Sequence, residues 1–249
     1  MLIPSARKRV LSTLVAGVFA GTALLLPAGS ASAQSAAPTS AQSSAQTPAN
    51  ECSATFHLGD RRFGPEILPK RGVVAAGLIG YRRTGSLSPQ QFLDKYWDSA
   101  AAWWKYPPLD GYLLDRQGKP IIVPSKLRPG QLVDRYGSEF GQFLAPIGTP
   151  YTARAIPPQS LVSTPAGYCN YRAYKVLKPF TVDSGPIAPW FEQTGYGWQY
   201  VLKSSNIPGA PSPLTIKWLL ENGYLQRVIG PPQTFAESLV PPLDRAPVS

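Results

Sequence analysis

Three segments in the second half of this 249-residue chain carry residue types suited to phosphate and base recognition. Leu132-Val133-Asp134-Arg135-Tyr136-Gly137-Ser138-Glu139-Phe140-Gly141-Gln142-Phe143-Leu144 places an Arg in a Gly-rich turn among aromatics. Pro150 to Pro158 places Arg154 in an extended run. Gly185 to Tyr200 is an aromatic, Gly-rich loop that delivers Gln199. A guanidinium forks onto phosphate oxygens, and aromatic rings stack on bases, so this set is what a nucleotide needs. The same residues also fit a plain structural role, with Arg135 and Arg154 in surface ion pairs and the aromatics in the core. Composition leaves the two readings level.

Other chemistries fall away. His57 is the sole His, so a Ser-His-Asp triad or a Cys-His pair would have to use it. It stands beside Gly59-Asp60-Arg61, far in sequence from any exposed-nucleophile motif. Two Cys and one His make a poor zinc set. No Walker loop occurs, and Gly195-x-Gly197 runs into a strand-like stretch rather than a helix, so no dinucleotide fingerprint forms. No metal site is expected. The basic residues are scattered, with no nucleic-acid arm, zinc finger or helix-turn-helix, so no nucleic-acid partner is expected.

The elements that must position these residues begin after an export signal. Arg7, Lys8 and Arg9 precede an apolar run from Val10 to Leu26, and Ala31-Ser32-Ala33 supplies a small-residue cleavage site. The run is shorter than the ~20 residues that cross a bilayer, so residues 1–33 read as a cleaved signal peptide and not as a retained anchor. The chain carries +10, and the signal supplies three of those charges with no acid, leaving about +7 for a secreted mature protein. Residues 34–51 lack aromatic and large aliphatic side chains and read as a disordered linker. Cys52 and Cys169, an even pair in an exported chain, are expected to form one disulfide; two buried free thiols are the alternative.

From Cys52 onward aromatics, Gly and Pro become dense. Ser88-Pro89 caps a helix that carries Phe92, Leu93, Tyr96, Trp97 and Ala100 on one side and ends before Tyr106-Pro107-Pro108. That stripe reads as core. Gly111 to Leu114, Ile121 to Val123, Tyr171 to Val176 and Gln199 to Val201 read as short strands, and Thr215 to Asn222 as a helix stopped by Gly223. Many short strands with few helices predict a β-rich α+β fold. Residues 231–249 form a Pro-rich tail.

The three segments resemble the TNT domain, the NAD-cleaving domain named after the tuberculosis necrotizing toxin. Gly59-Asp60-Arg61-Arg62-Phe63-Gly64-Pro65, Tyr81-Arg82-Arg83-Thr84-Gly85 and Trp104 to Tyr112 are similar to the N-terminal "thumb" of secreted fungal and bacterial NADases of that family. The resemblance spans about Cys52 to Gln226, with several multi-residue blocks in the right order. It implies a thumb over 52–128 and a TNT-like NADase domain over 129–230. It implies hydrolysis of NAD, with NADP as an alternative substrate, to nicotinamide and ADP-ribose, with no cofactor.

By the same resemblance Arg135 and Gln199 match the family's essential pair. Tyr136 and Phe143 match aromatics that sandwich the substrate, and Arg154 matches an Arg for the pyrophosphate. Ile187-Ala188-Pro189-Trp190-Phe191 matches a pocket wall. Related secreted NADases are homodimers, so a homodimer is an expectation, as is an inhibitor protein of unknown identity. Two departures stand out. Some members use a His between the Arg and the Gln, where this chain has Asn170 to Tyr174, and the tail offers no acidic match to the calcium site of fungal members.

The reaction is compatible with so few ionisable groups. Oxidised NAD already carries its leaving group as a cationic pyridinium, so no general acid is needed. Departure leaves an oxocarbenium-like sugar that water captures. Positioning and electrostatics can supply the catalysis, with Arg135 on the diphosphate or sugar edge and Gln199 on the water or the carboxamide. Glu192 is a spare base. A nucleotide-binding module without turnover, and a transferase or cyclase, are the competing readings.

Overall fold

The computed structural model describes residues 47–230. The expected signal peptide (1–33), most of the expected linker (34–46) and the Pro-rich tail (231–249) lie outside the described residues. The last expected linker residues do not: the Ala49 carbonyl accepts hydrogen bonds from the Lys70 and Arg71 amides at 2.7 and 3.1 Å. Cys52 and Cys169 are joined in a disulfide across 117 positions.

The N-terminal region carries α1 (Gly72–Gly77), α2 (Pro89–Tyr96) and a hairpin of β1 (Trp97–Asp98) and β2 (Trp103–Trp104). α2 starts where the sequence places it. Ser88 and Gln91 form a reciprocal capping box, with Pro89 in the first turn. It stops earlier than the stripe implies. Trp97 leaves the helix in extended conformation, and the Asp98 carboxylate accepts from the Ala100 and Ala101 amides at 2.9 and 3.1 Å. An acid that satisfies the next backbone donors turns the chain, so Trp97 and Trp104 pair across a hairpin and Ala100 is not helical. The stripe itself is core: Phe92 and Tyr96 are buried with Phe63 and Trp104.

The second region is organised on a seven-stranded antiparallel sheet. Its strands are β3 (Val123–Leu127), β4 (Leu132–Tyr136), β5 (Phe143–Pro146), β6 (Tyr171–Val176), β7 (Phe180–Pro186), β8 (Trp198–Val201) and β9 (Leu225–Ile229). Their order is β3-β7-β8-β5-β4-β6-β9. The short helices α3 (Tyr151–Arg154) and α4 (Ile216–Glu221) accompany it. The result is the β-rich α+β class expected. β3 lies before residue 129, yet it is an edge strand of this sheet, so the sheet includes the end of the thumb region. Gly111 to Leu114 makes only isolated bridges to Ile187 and Pro120, and β3 begins where the Ile121 to Val123 strand was expected to end.

Strand alternation splits the core in two. In β6, Tyr174 and Val176 enter a cluster with Leu127, Leu144, Leu202, Ile216 and Leu219. Tyr171 and Ala173, on the opposite face, join Tyr136, Tyr151, Leu161 and the disulfide. Thr215 caps α4 on the Trp218 amide, and Gly223 follows it at positive φ. Both faces of β6 are therefore buried, which makes β4 and β6 a rigid base for the side chains at their ends.

Candidate active site

β4 carries the Asp134-Arg135-Tyr136 block, and its alternation decides what each residue meets. Val133 and Arg135 share one face, Asp134 and Tyr136 the other. Arg135 is therefore on a strand. The expected Gly-rich turn begins after it, because Tyr136 still pairs with Tyr171. Arg135 is 3% exposed, and its Nη1 donates to the Phe143 carbonyl at 2.9 Å. Gly141 makes room for it. A Cβ there would lie 2.3 Å from both terminal guanidinium nitrogens.

Arg154 does not sit in an extended run. Pro150 ends the preceding turn, and one helical turn over Tyr151–Arg154 is closed by Ala155 in the left-handed region. The Arg154 guanidinium meets the buried Asp134 carboxylate, and its Nε donates to the Thr149 carbonyl at 3.0 Å. It lies 5.2 Å over the Tyr136 ring. Asp134 also accepts from Tyr171 Oη at 2.9 Å and from the Gly148 amide at 3.0 Å. A buried carboxylate with three donors is fully satisfied. Burial pushes the Tyr136 phenol up to about 12, so it is neutral near pH 7.

Gln199 comes from the other half of the sheet. β8 pairs with both β5 and β7, and Gln199 lies opposite Gly185. It is 7% exposed, and its Nε2 donates to the Asp110 carbonyl at 2.9 Å. Asp110 belongs to a tight turn of the thumb region, with left-handed backbone at Leu109, Asp110 and Gly111. Its carboxylate meets Lys203 Nζ at 2.8 Å.

These groups open on one cleft of about 700 Å³, inside the ~300–1,000 Å³ of small-molecule sites. It brings together Arg135, Tyr136, Phe143, Arg154 and Gln199 of the expected set. Asp110 and Lys203 line it as well. Neither was singled out in the sequence. The available signal for Lys203 was its place four residues beyond Gln199, on the same face of an extended run. Cations outnumber carboxylates around the cleft, which favours an anionic ligand.

Trp190 and Phe191 are not in its lining. Phe191 is fully buried among Phe92, Tyr96, Trp104 and Tyr106. Trp190 donates from Nε1 to the Lys105 carbonyl at 2.7 Å. They fasten the thumb to the sheet, and of that expected wall Ile187 alone reaches the cleft. Glu192 is likewise turned away. It pairs with Lys95 and accepts from Tyr96 Oη, both at 2.8 Å, and Lys95 holds its carboxyl below the usual range. His57 faces Glu66 at 3.3 Å and does not line the cleft. No group of His, Cys, Asp and Glu suited to a metal occurs among the described residues.

Fold and site together define an α+β protein with a cationic, aromatic-walled cleft beside its antiparallel sheet. The tuberculosis necrotizing toxin family model matches residues 126–228. The chain is 42% identical over 177 residues to the conidial surface nicotinamide adenine dinucleotide glycohydrolase nadA of Aspergillus fumigatus. That match covers 70% of this chain and 71% of the relative. Among solved structures, tuberculosis necrotizing toxin complexed with its immunity factor is similar at 17% identity and a TM-score of 0.41. The likeness covers 56% of this chain and 71% of the toxin chain. The chain belongs to the TNT-domain NAD glycohydrolase family.

Proposed function

We propose that this protein is a secreted NAD glycohydrolase, cleaving the bond between nicotinamide and ribose to give nicotinamide and ADP-ribose. The observation that carries it is the meeting of Arg135 and Gln199 in one cleft, from strands on opposite sides of β5. The family relationship supports the same activity.

In the reaction the C–N bond breaks with its electron pair going to the ring nitrogen, which turns cationic nicotinamide neutral. Positive charge passes to the ribose as an oxocarbenium-like centre. Water adds to that carbon and releases one proton. Arg135 is held by the Phe143 carbonyl, so its guanidinium is preorganised to meet a phosphate or sugar oxygen of the substrate. Tyr136 and Phe143 present apolar surface for the rings. Gln199 keeps its amide oriented through Asp110, leaving an acceptor oxygen for the water or a ribose hydroxyl. The family's occasional His has no counterpart between Arg135 and Gln199, and the chemistry above needs none.

The disulfide and the conidial-surface location of the relative support action outside the cell. NADP fits the same scheme, because the broken bond is the same. The test is product analysis of the exported protein with NAD and with NADP. Free nicotinamide and free ADP-ribose in equal amounts are expected. A cyclic product or protein-bound ADP-ribose would reassign the reaction, and saturable binding without nicotinamide release would refute catalysis.

A further inference from the structure

Three cations line the cleft, and two are locked. Arg154 is held on Asp134, with side chains only 6% and 1% exposed. Arg135 is 3% exposed and bonded to the Phe143 carbonyl. Lys203 differs. Its ion pair with Asp110 spans 2.8 Å, but the two side chains are 39% and 41% exposed. We infer that Lys203 is a phosphate-binding residue of the cleft, held by Asp110 at rest and handed to the substrate when it binds. This rests on the NAD-cleaving reading above.

Exchange is physically easy at this position. An ion pair so exposed holds weakly, because water competes for both partners. The diphosphate of NAD carries two negative charges and more acceptor oxygens than the single carboxylate of Asp110, and the extra phosphate of NADP is a doubly ionisable monoester. Lysine suits the task, being a flexible stem with three donors that can swing between partners. The turn does not depend on the pair. Its shape is set by left-handed backbone at Leu109, Asp110 and Gly111, with φ of 54°, 57° and 73°. Asp110 can release Lys203 while its carbonyl still holds Gln199. The phosphate taken up would then sit beside the residue that faces the reacting sugar.

The test measures KM and kcat for NAD and NADP in the full-length exported protein and in Lys203→Met, Lys203→Arg and Asp110→Asn. A purely structural ion pair would make both neutralising variants change KM in the same direction. Exchange gives opposite signs. Lys203→Met should raise KM about tenfold, the scale of one charge-assisted hydrogen bond. Asp110→Asn, which tolerates the left-handed turn, should lower KM severalfold by freeing Lys203. Lys203→Arg should stay near the parent. A larger Lys203→Met effect for NADP would locate the contact at the extra phosphate, and equal effects would locate it at the diphosphate. ADP and adenosine binding, followed by calorimetry, reads the same residue without turnover. Lys203→Met should weaken ADP and leave adenosine unchanged. KM shifts of the same sign, or no shift in KM or ADP affinity, would overturn the proposal even where the wild type cleaves NAD. An inactive wild type that still shows the ADP difference would instead overturn the hydrolase reading.

Discussion

Gln199 donates its amide hydrogen to the carbonyl of Asp110 over 2.9 Å, joining sheet to thumb across 89 residues of sequence. The contact decides which way the amide faces. With the donor end held by the thumb, the oxygen end is the one available to the cleft. Gln199→Ala should lower kcat about 10²–10³-fold, the scale seen when one preorganised polar group is removed from a reaction site. Steady-state rates with NAD check this, and near-parental kcat would remove Gln199 from the mechanism.

Gln199→Glu tests the same contact through pH. An ionised carboxylate would face the Asp110 carbonyl, acceptor against acceptor, and be disfavoured. The protonated acid can still donate. The carboxyl should therefore titrate above its usual range, and activity should fall as pH rises through that value. The variant should work better near about pH 5 than about pH 8 once rates are divided by those of the parent. A flat ratio would show that the Asp110 contact does not set the amide's orientation.

Gly141 permits the position of Arg135. Because a Cβ would come within 2.3 Å of both Nη atoms, Gly141→Ala must push the guanidinium aside. The obstruction is the end of the Arg135 side chain, not backbone, so the fold can absorb it. The expected outcome is a loss of at least about tenfold in kcat/KM with a melting shift of only a few degrees. A large loss of stability with normal activity in the folded fraction would contradict this.

Asp134 is structural support for the site. Removing its charge in Asp134→Ala strands the buried Arg154 guanidinium and the Tyr171 hydroxyl together. Breaking a buried pair by one partner costs about 3–5 kcal/mol. The urea midpoint should fall accordingly, and a midpoint within error of the parent would show the pair to be dispensable.

How much of this was readable from sequence varies with the range of the forces involved. The cap at Ser88 and strand β6 were legible because capping and apolar runs are local. Arg135 and Gln199 stand out by residue type, but only the family resemblance makes them a site pair. Nothing in spacing says that β8 lies beside β5. Arg154 was misplaced in an extended run because one helical turn leaves no periodic pattern. The resemblance implies a pocket wall at Trp190 and Phe191, but a matched aromatic block does not tell a ligand face from a docking face. Phe191 is buried by rings from α2 and β2, over eighty residues earlier in the chain. Asp110 acts on Gln199 through its main-chain carbonyl, which any residue type would provide, so no sequence signal marks it.

The phenols set an alkaline limit to stability. Burial pushes Tyr136 up to about 12, and the phenols of Tyr112, Tyr171 and Tyr174 are also raised by burial. In the unfolded chain these groups ionise near pH 10. Between the unfolded and folded values the unfolded state has lost protons that the folded state keeps, so stability declines as pH rises. Below about pH 10 the contribution is complete. Denaturant midpoints should be level from about pH 7 to 9.5 and fall steeply above about pH 10. Tyr171→Phe should lessen that slope, though it also removes a donor from Asp134. An unchanged slope would place the alkaline transition elsewhere.

The disulfide ties the segment before α1 to the loop before β6. Its loop of 117 positions is long, and the chain-entropy model assigns such a closure about 4–5 kcal/mol. Cys52 and Cys169 are both buried beside Tyr136 and Tyr151, so the bond anchors the cluster from which the cleft's aromatic wall rises. Reduction should therefore act on activity as well as on stability. The expected result is a lower urea midpoint for the reduced protein, and a KM for NAD that rises before global unfolding, as the Tyr136 wall loosens. Cys52→Ser with Cys169→Ser should reproduce both effects without reductant. If the double variant unfolds earlier but keeps the parental KM until it does, the bond supports the chain alone and the cleft wall is held by the β4–β6 pairing.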